Sequence, residues 1–303
     1  MRSNITNKRW SVIDIINWGA SYFEERKIES PRLTIELILA KILNCKRIDL
    51  YLEFDKPFND SELAKIKSMV LERAEGRPIQ YILGEVEFFD TVLKVDESVL
   101  IPRPETEILV DLLIKDVFKF NTDADIVVLD IGTGSGNIAI AIAKKIRNSR
   151  IYAFDNSESA LNTARQNAVL NNVCESINFF KADMMEDWNR KSNMEFDYII
   201  SNPPYIADGE KNRLPREVTG YEPAQALFAG EDGTKYYARI IQYFGNWLKT
   251  GGKIFMELGI NQADKVTQML QESGFGEIEV HNDYHNIARV INAVRADKQN
   301  HME

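Results

Sequence analysis

The run FDYIISNPPY, from Phe196 to Tyr205, begins as an apolar strand and stops on a rigid tetrapeptide. Proline lacks an N–H and fixes its own φ. Pro203 and Pro204 therefore leave backbone carbonyls and the Asn202 side-chain oxygen as the nearby polar groups. A corner of acceptors suits a substrate that presents an –NH2 and disfavours a carboxylate or phosphate. Two acceptors on a stiff turn hold both N–H bonds of a planar amino or amide group, and Tyr205 supplies a flat face against it. Amide nitrogen is a poor nucleophile, so positioning is what a protein contributes, worth on the order of 7–11 kcal/mol for well-oriented reactants. Asn-Pro also favours plain turns, and a strand end with Asn202 as a local cap is the competing reading. The segment upstream decides between them.

That segment, VVLDIGTGSGNIAIAIAKKI, reads as strand, glycine turn and helix. Gly132, Gly134 and Gly136, with Thr133 and Ser135 between them, allow a sharp turn and a ligand approach without a Cβ. The helix that follows points its free amides at negative charge. About 20 residues on, a second strand ends in Asp155, placed for ribose hydroxyls. The spacing is GxGxG rather than the GxGxxG of nicotinamide-binding proteins, which points towards S-adenosylmethionine. In open parallel sheets ligands bind beyond the carboxyl ends of the strands, so Asn202–Tyr205 and the glycine turn are expected to face one crevice. Reactive methyl carrier and planar nitrogen would then meet there.

The chain has 303 residues, enough for one large domain or two ordinary ones, and a net charge of −9. That acidity argues against a protein that grips long stretches of phosphate backbone. Cys45 and Cys174 are far apart in no ligand spacing and read as buried reduced thiols. His281, His285 and His301 have no partner cysteines, so no metal is expected. MRSNITNKRW lacks the apolar core of a secretion signal, and no apolar run reaches membrane-spanning length, so a cytoplasmic address is expected.

These groups need elements to hold them. Residues 1–80 read as an amphipathic helical domain without catalytic clusters. SVIDIINWGASYF places Ile13, Ile16, Ala20 and Tyr22/Phe23 on one face. Ser30 is a candidate cap before Pro31, and Asn59 with Glu62 forms a capping box. Residues 81–101 alternate as a hairpin and read as a linker. Residues 102–303 open with PRPETE at a helix start and continue as strands at 126–130, 151–155, 177–180, 197–201 and 253–258 with helices between. The expected class is α/β, a mostly parallel sheet covered on both faces, closed by an antiparallel edge hairpin from EIEVHND and NIARVINAV.

DIGTGSG, SNPPY, IPRPETE and YEPAQALFAGEDG, in this order, resemble the HemK-type methyltransferases that modify peptide chain release factors. The resemblance runs from about Arg77 to the C-terminus, behind a helical N-terminal domain such as that family has. It implies a Rossmann-like methyltransferase domain and methyl transfer from S-adenosylmethionine to the side-chain amide of the glutamine in the release factors' Gly-Gly-Gln loop. It implies cofactor contacts at Gly132–Gly136, Asp155, Met184 and Asn202, and a glutamine held by Asn202, Pro203, Pro204 and Tyr205. Met184 departs from the aromatic often found at that position. IPRPETE reads either as a hinge and helix cap or, in functional terms, as placing Leu100 and Arg103–Glu107, Glu105 among them, around the pocket mouth. Glu222 and Pro223 are expected to brace the loop after the tetrapeptide.

Two other functions compete. NPPY is shared with enzymes that methylate adenine or guanine amino groups, which should carry a basic groove or a target-recognition insert; neither is visible between Tyr205 and Lys235. A non-catalytic binding module has no use for an intact glycine turn, Asp155 and Asn202.

Overall fold

The computed structural model describes residues 9–120, 125–188 and 195–296. The chain divides into two compact units, Met1–Gly84 and Glu85–Glu303. His301 and the segment before Arg9 lie outside the described residues.

The first unit holds α1 (Val12–Glu24), α2 (Pro31–Leu43), α3 (Asp60–Ala74) and α4 (Ile79–Leu83). Capping boxes start α1, through Ser11 and Asp14, and α3, through Asn59 and Glu62. Ser30 does not cap α2: it sits in the left-handed region at φ 48° with no side-chain bond to the helix, and Pro31 sets the first turn alone. The buried face of α1 is Val12, Ile15, Ile16, Gly19 and Phe23, so Ile16 and Phe23 of the expected stripe lie on it. Ile13, Ala20 and Tyr22 are only half-buried. Gly19 is what lets α2 close in, since a Cβ there would meet Ile35 Cγ1 at 2.5 Å.

The second unit opens with the hairpin β1 (Glu85–Phe88) and β2 (Thr91–Lys94). Its two-residue turn, Phe89 and Asp90, has positive φ at both positions, the twist that hairpins favour. Then come α5 (Pro104–Phe120), β3 (Ile126–Ile131), α6 (Asn137–Lys145), β4 (Ser149–Asp155), α7 (Glu158–Leu170) and β5 (Ile177–Lys181). They are followed by β6 (Phe196–Ser201), α8 (Arg216–Tyr221), α9 (Lys235–Gln242), β7 (Leu248–Glu257), α10 (Ala263–Glu272), β8 (Phe275–Asn282) and β9 (Ala288–Arg295).

The sheet runs β5-β4-β3-β6-β7-β9-β8. The first five strands are parallel, and β9 pairs antiparallel with both β7 and β8. Successive strand residues face opposite layers. Val128, Ile200, Phe255 and Val290 pack with α5 and α6, while Leu129, Ile199, Ile254 and Ile291 pack with α9 and α10. This is the Rossmann-like α/β class expected from the sequence. Chain order reverses direction beside β3, and a crevice opens there at the carboxyl ends of β3 and β6.

Neither cysteine is buried: Cys174 is exposed and Cys45 half-buried. Cys45 follows the end of α2 and packs against the core of the helical unit, while Cys174 starts a short turn before β5. Among the described residues no helix is long and apolar enough to cross a membrane.

Candidate active site

A cavity of about 300 Å³ lies at those strand ends. Gly132 and Gly134 after β3, Asp155 at the end of β4, Met184 after β5 and Asn202 and Pro204 after β6 all line it, with Leu100. The glycine turn and the proline corner therefore share one space. Gly134 has φ 54°, and a Cβ built on it would meet nothing within 4 Å, so its missing side chain leaves room in the crevice. Gly136, at φ 80°, serves packing instead: a Cβ would come within 3.1 Å of Ile140 Cδ1 and 3.2 Å of Ala164 Cβ.

Thr133, Ser135 and Gly136 are not among the residues lining the cavity. Thr133 is buried and donates its hydroxyl to Asp130 Oδ2 at 2.7 Å. The Ser135 carbonyl accepts from Asn167 Nδ2 at 3.0 Å, which ties the turn to α7. These residues hold the turn's shape from behind. Burial pushes the Asp130 carboxyl up to about 7, against the opposing effect of the Thr133 bond.

Asp155 accepts the Gly134 amide on Oδ2 and the Ser157 amide on Oδ1, each at 2.9 Å. Each carboxylate oxygen has a second lone pair, so the pinned group still has acceptors for hydroxyls in the cavity. Burial raises its pKa, and the two amide bonds oppose that. Phe154, Ala160, Ala182 and Met184 line the same space with apolar surface. A polar carboxylate end, an apolar wall and a Cβ-free turn fit a molecule with a ribose and a flat base, as S-adenosylmethionine has.

The corner is built on β6. Ser201 donates its hydroxyl to the Ile131 carbonyl at 2.8 Å, locking β6 to β3 just before Asn202. Pro203 is buried outside the cavity, and Pro204 lines it. Tyr205 turns into a second cavity of about 130 Å³ with Arg103, Leu214 and Val218, and Leu100 and Ala226 line both spaces. The Tyr205 carbonyl accepts from Gln262 Nε2 at 2.8 Å, which anchors the end of the tetrapeptide to the residue before α10.

A buried network that sequence reading missed stands behind the corner. Asn202 Nδ2 donates to Thr106 Oγ1 at 3.0 Å, Thr106 donates to Glu257 Oε2 at 2.5 Å, and the Tyr205 hydroxyl donates to Glu257 Oε1 at 3.2 Å. Glu257 is 1% exposed, and burial raises its pKa to about 7 despite the Thr106 and Tyr205 bonds. Its signal was a lone carboxylate closing the apolar strand KIFMEL.

Glu222 braces a different partner from the one expected. It accepts from Arg103 Nη2 at 2.6 Å and from the Ile101 amide at 3.1 Å, so it pins the segment before α5 rather than the loop after the tetrapeptide. That loop is held instead by pairing of Ile206 with Phe228. Glu105 and Glu107 line neither cavity: Glu105 is half-buried, and Glu107 accepts the Phe89 amide at 3.0 Å, tying α5 to the hairpin.

Comparison with known proteins adds to this geometry. A family model for the PrmC N-terminal domain matches residues 14–84, and one for the methyltransferase small domain matches residues 105–218. A release factor glutamine methyltransferase of Chlorobaculum tepidum is 38% identical over 290 residues, covering 95% of this chain and 98% of its own. One from Geobacter sulfurreducens is 36% identical over 282 residues, covering 93% and 96%. A crystal structure of a methyltransferase from Pyrococcus furiosus has the same fold at 17% identity, with a TM-score of 0.50 over 79% of this chain and all of that one.

Proposed function

The chain belongs to the release factor glutamine methyltransferases, and from that premise we propose that the corner at Asn202–Tyr205 holds the glutamine side-chain amide against the cavity of the glycine turn. The enzyme is an S-adenosylmethionine-dependent protein-glutamine N-methyltransferase. Its substrate on this reading is the glutamine of the Gly-Gly-Gln loop in peptide chain release factors, met in the cytoplasm. The single observation that carries the proposal is that Asn202 and Pro204 line the same cavity as Gly132, Gly134 and Asp155.

Gly132, Gly134, Asp155 and Met184 are the residues that would hold S-adenosylmethionine. When bound, the cofactor would supply a methyl group on a positively charged sulfur; transfer to the amide nitrogen would leave a neutral thioether and release one amide proton to water. The chain's own task is orientation. Asn202 Oδ1 and a neighbouring backbone carbonyl accept the two amide hydrogens and keep the group planar and aimed. Tyr205, fixed through its hydroxyl to Glu257, supplies the flat wall on the second cavity. Leu100, which lines both cavities, places an apolar side chain where the two ligands meet and limits water there. Arg103, held by Glu222, sits at the substrate side.

The helical unit, residues 1–80 in this reading, recognises the protein substrate. Its described residues form an apolar core around Ile16, Ile35 and Leu39. A short peptide bearing Gly-Gly-Gln should then be used with a much higher KM than an intact release factor.

Incubation of the protein with labelled S-adenosylmethionine and a purified release factor, followed by peptide mass spectrometry, tests the function. One added methyl on the glutamine side-chain amide is expected. A methyl placed on any other residue, or transfer to a nucleic acid in preference, would overturn it.

A further inference from the structure

Thr106 is fully buried, and so is Glu257 apart from 1% of its surface. Thr106 has one hydroxyl hydrogen, and that hydrogen goes to Glu257 Oε2. What remains at Thr106 Oγ1 is a lone pair, and it accepts from Asn202 Nδ2 at 3.0 Å. An asparagine amide is a donor on one side and an acceptor on the other. With Nδ2 committed to Thr106, Oδ1 is the atom left for a ligand.

We propose that Thr106 and Glu257 are positioning residues that set the polarity of the Asn202 amide, so that an acceptor and not a donor meets the substrate –NH2. The proposal rests on the reading of Asn202 as the group that holds the glutamine amide. Direction in this chain of bonds comes from Glu257, because an ionised carboxylate only accepts. It takes one hydrogen from Thr106 and one from Tyr205, and so orients both ends of the tetrapeptide at once. A proton on the oxygen facing Thr106 reverses the first bond. The threonine hydrogen is then released towards Asn202, and the flipped amide, with its –NH2 facing the substrate, becomes the favoured state. That state repels a substrate nitrogen that already carries hydrogens.

The groups facing Glu257 are Thr106 and Glu105 from α5, Tyr205 from the loop after β6 and Arg289 from β9; Tyr237 of α9 donates to its backbone carbonyl at 3.0 Å. Glu105 favours the protonated carboxyl and Arg289 the ionised one, while burial sets the balance near neutrality.

The test uses the intact protein, an intact release factor and S-adenosylmethionine, with kcat, KM and cofactor Kd measured from pH 5.5 to 8.5. Thr106→Val keeps the shape and removes the hydroxyl. It should lower kcat tenfold or more with cofactor Kd unchanged within twofold, and Thr106→Ser should recover most of the loss. Wild-type kcat should rise with pH through about 7. Glu257→Gln, whose amide offers Thr106 an oxygen at every pH, should lack that rise. Wild-type kcat in Thr106→Val, equal losses in Thr106→Ser and Thr106→Val, or a persisting rise in Glu257→Gln would each overturn the proposal. If Thr106→Val proves unfolded, the Thr106→Ser rate and the Glu257→Gln pH profile decide it. Asn202→Ala separates the two levels. An active Asn202→Ala enzyme defeats the reading of Asn202 itself. An inactive one beside a normal Thr106→Val defeats only the positioning role.

Discussion

Gly134 and Asp155 are joined by a 2.9 Å hydrogen bond from the glycine amide to Oδ2, across 21 residues of sequence. The bond makes the turn after β3 and the end of β4 one rigid edge of the crevice. Asp155→Ala removes that pin together with the carboxylate oxygens assigned to the ribose in the proposed function. Hydrogen bonds to a charged group are worth roughly 1.5–3 kcal/mol each, so a loss of tenfold or more in S-adenosylmethionine affinity is expected by isothermal titration. Unchanged affinity would count against the ribose assignment.

The glycines of the turn separate by role. Both Gly134 and Gly136 have positive φ, which costs an L-residue roughly 1–2 kcal/mol. Gly136→Ala adds crowding against Ile140 and Ala164 and should chiefly lower the thermal midpoint. Gly134→Ala places its methyl in open cavity, so it should chiefly weaken cofactor binding. Melting curves with and without cofactor distinguish the two outcomes.

Arg103 and Glu222 form a 2.6 Å pair whose acidic side chain is 1% exposed and whose basic side chain is 31% exposed. Arg103→Ala leaves a buried carboxylate that still accepts the Ile101 amide but has lost its cationic partner, a loss of about 1–3 kcal/mol. The thermal midpoint should fall by several degrees and KM for the release factor should rise. Glu222→Gln keeps an acceptor for one of the two donors and should cost less.

Two buried carboxyls give the protein an uncommon pH response. Glu257 has an ordinary value of 4.5 raised to about 7, and Asp130 one of 3.8 raised to about 7, both by burial. The unfolded chain releases these protons at lower pH than the folded one does, so stability falls as pH rises from about 4.5 to about 7. For Glu257 the change is on the order of 3 kcal/mol at most. Thermal melts across this window should show the decline, and Glu257→Gln should flatten part of it. A stability that climbs over the same range in the wild type, with the slope untouched in the variant, would contradict the account.

The parallel sheet, the glycine turn and the proline corner were legible as structure because each depends on local signals: apolar runs of strand length, glycines that tolerate positive φ, and prolines that end a strand. Asp155 was legible because chain order fixes where a second strand ends. Thr106 and Glu257 were not, since they meet Asn202 across 96 residues in one case and act through a hydroxyl in the other, with no spacing rule to link them. The same limit hid the true partner of Glu222, which lies 119 residues away at Arg103. The α1 stripe was read only in part because contacts of α1 with α2 chose the helix face over the pattern of hydrophobicity alone, and the Ser30 cap failed because its backbone is left-handed and its side chain makes no bond to the helix.

The most direct test of the shared crevice is a single-turnover assay of methyl transfer to an intact release factor by wild-type protein and Asn202→Ala, run beside cofactor titration of both. Transfer should be lost in the variant while its cofactor affinity falls only modestly. Transfer at the wild-type rate, or loss of transfer fully explained by loss of cofactor binding, would show that the glutamine amide is not held at Asn202.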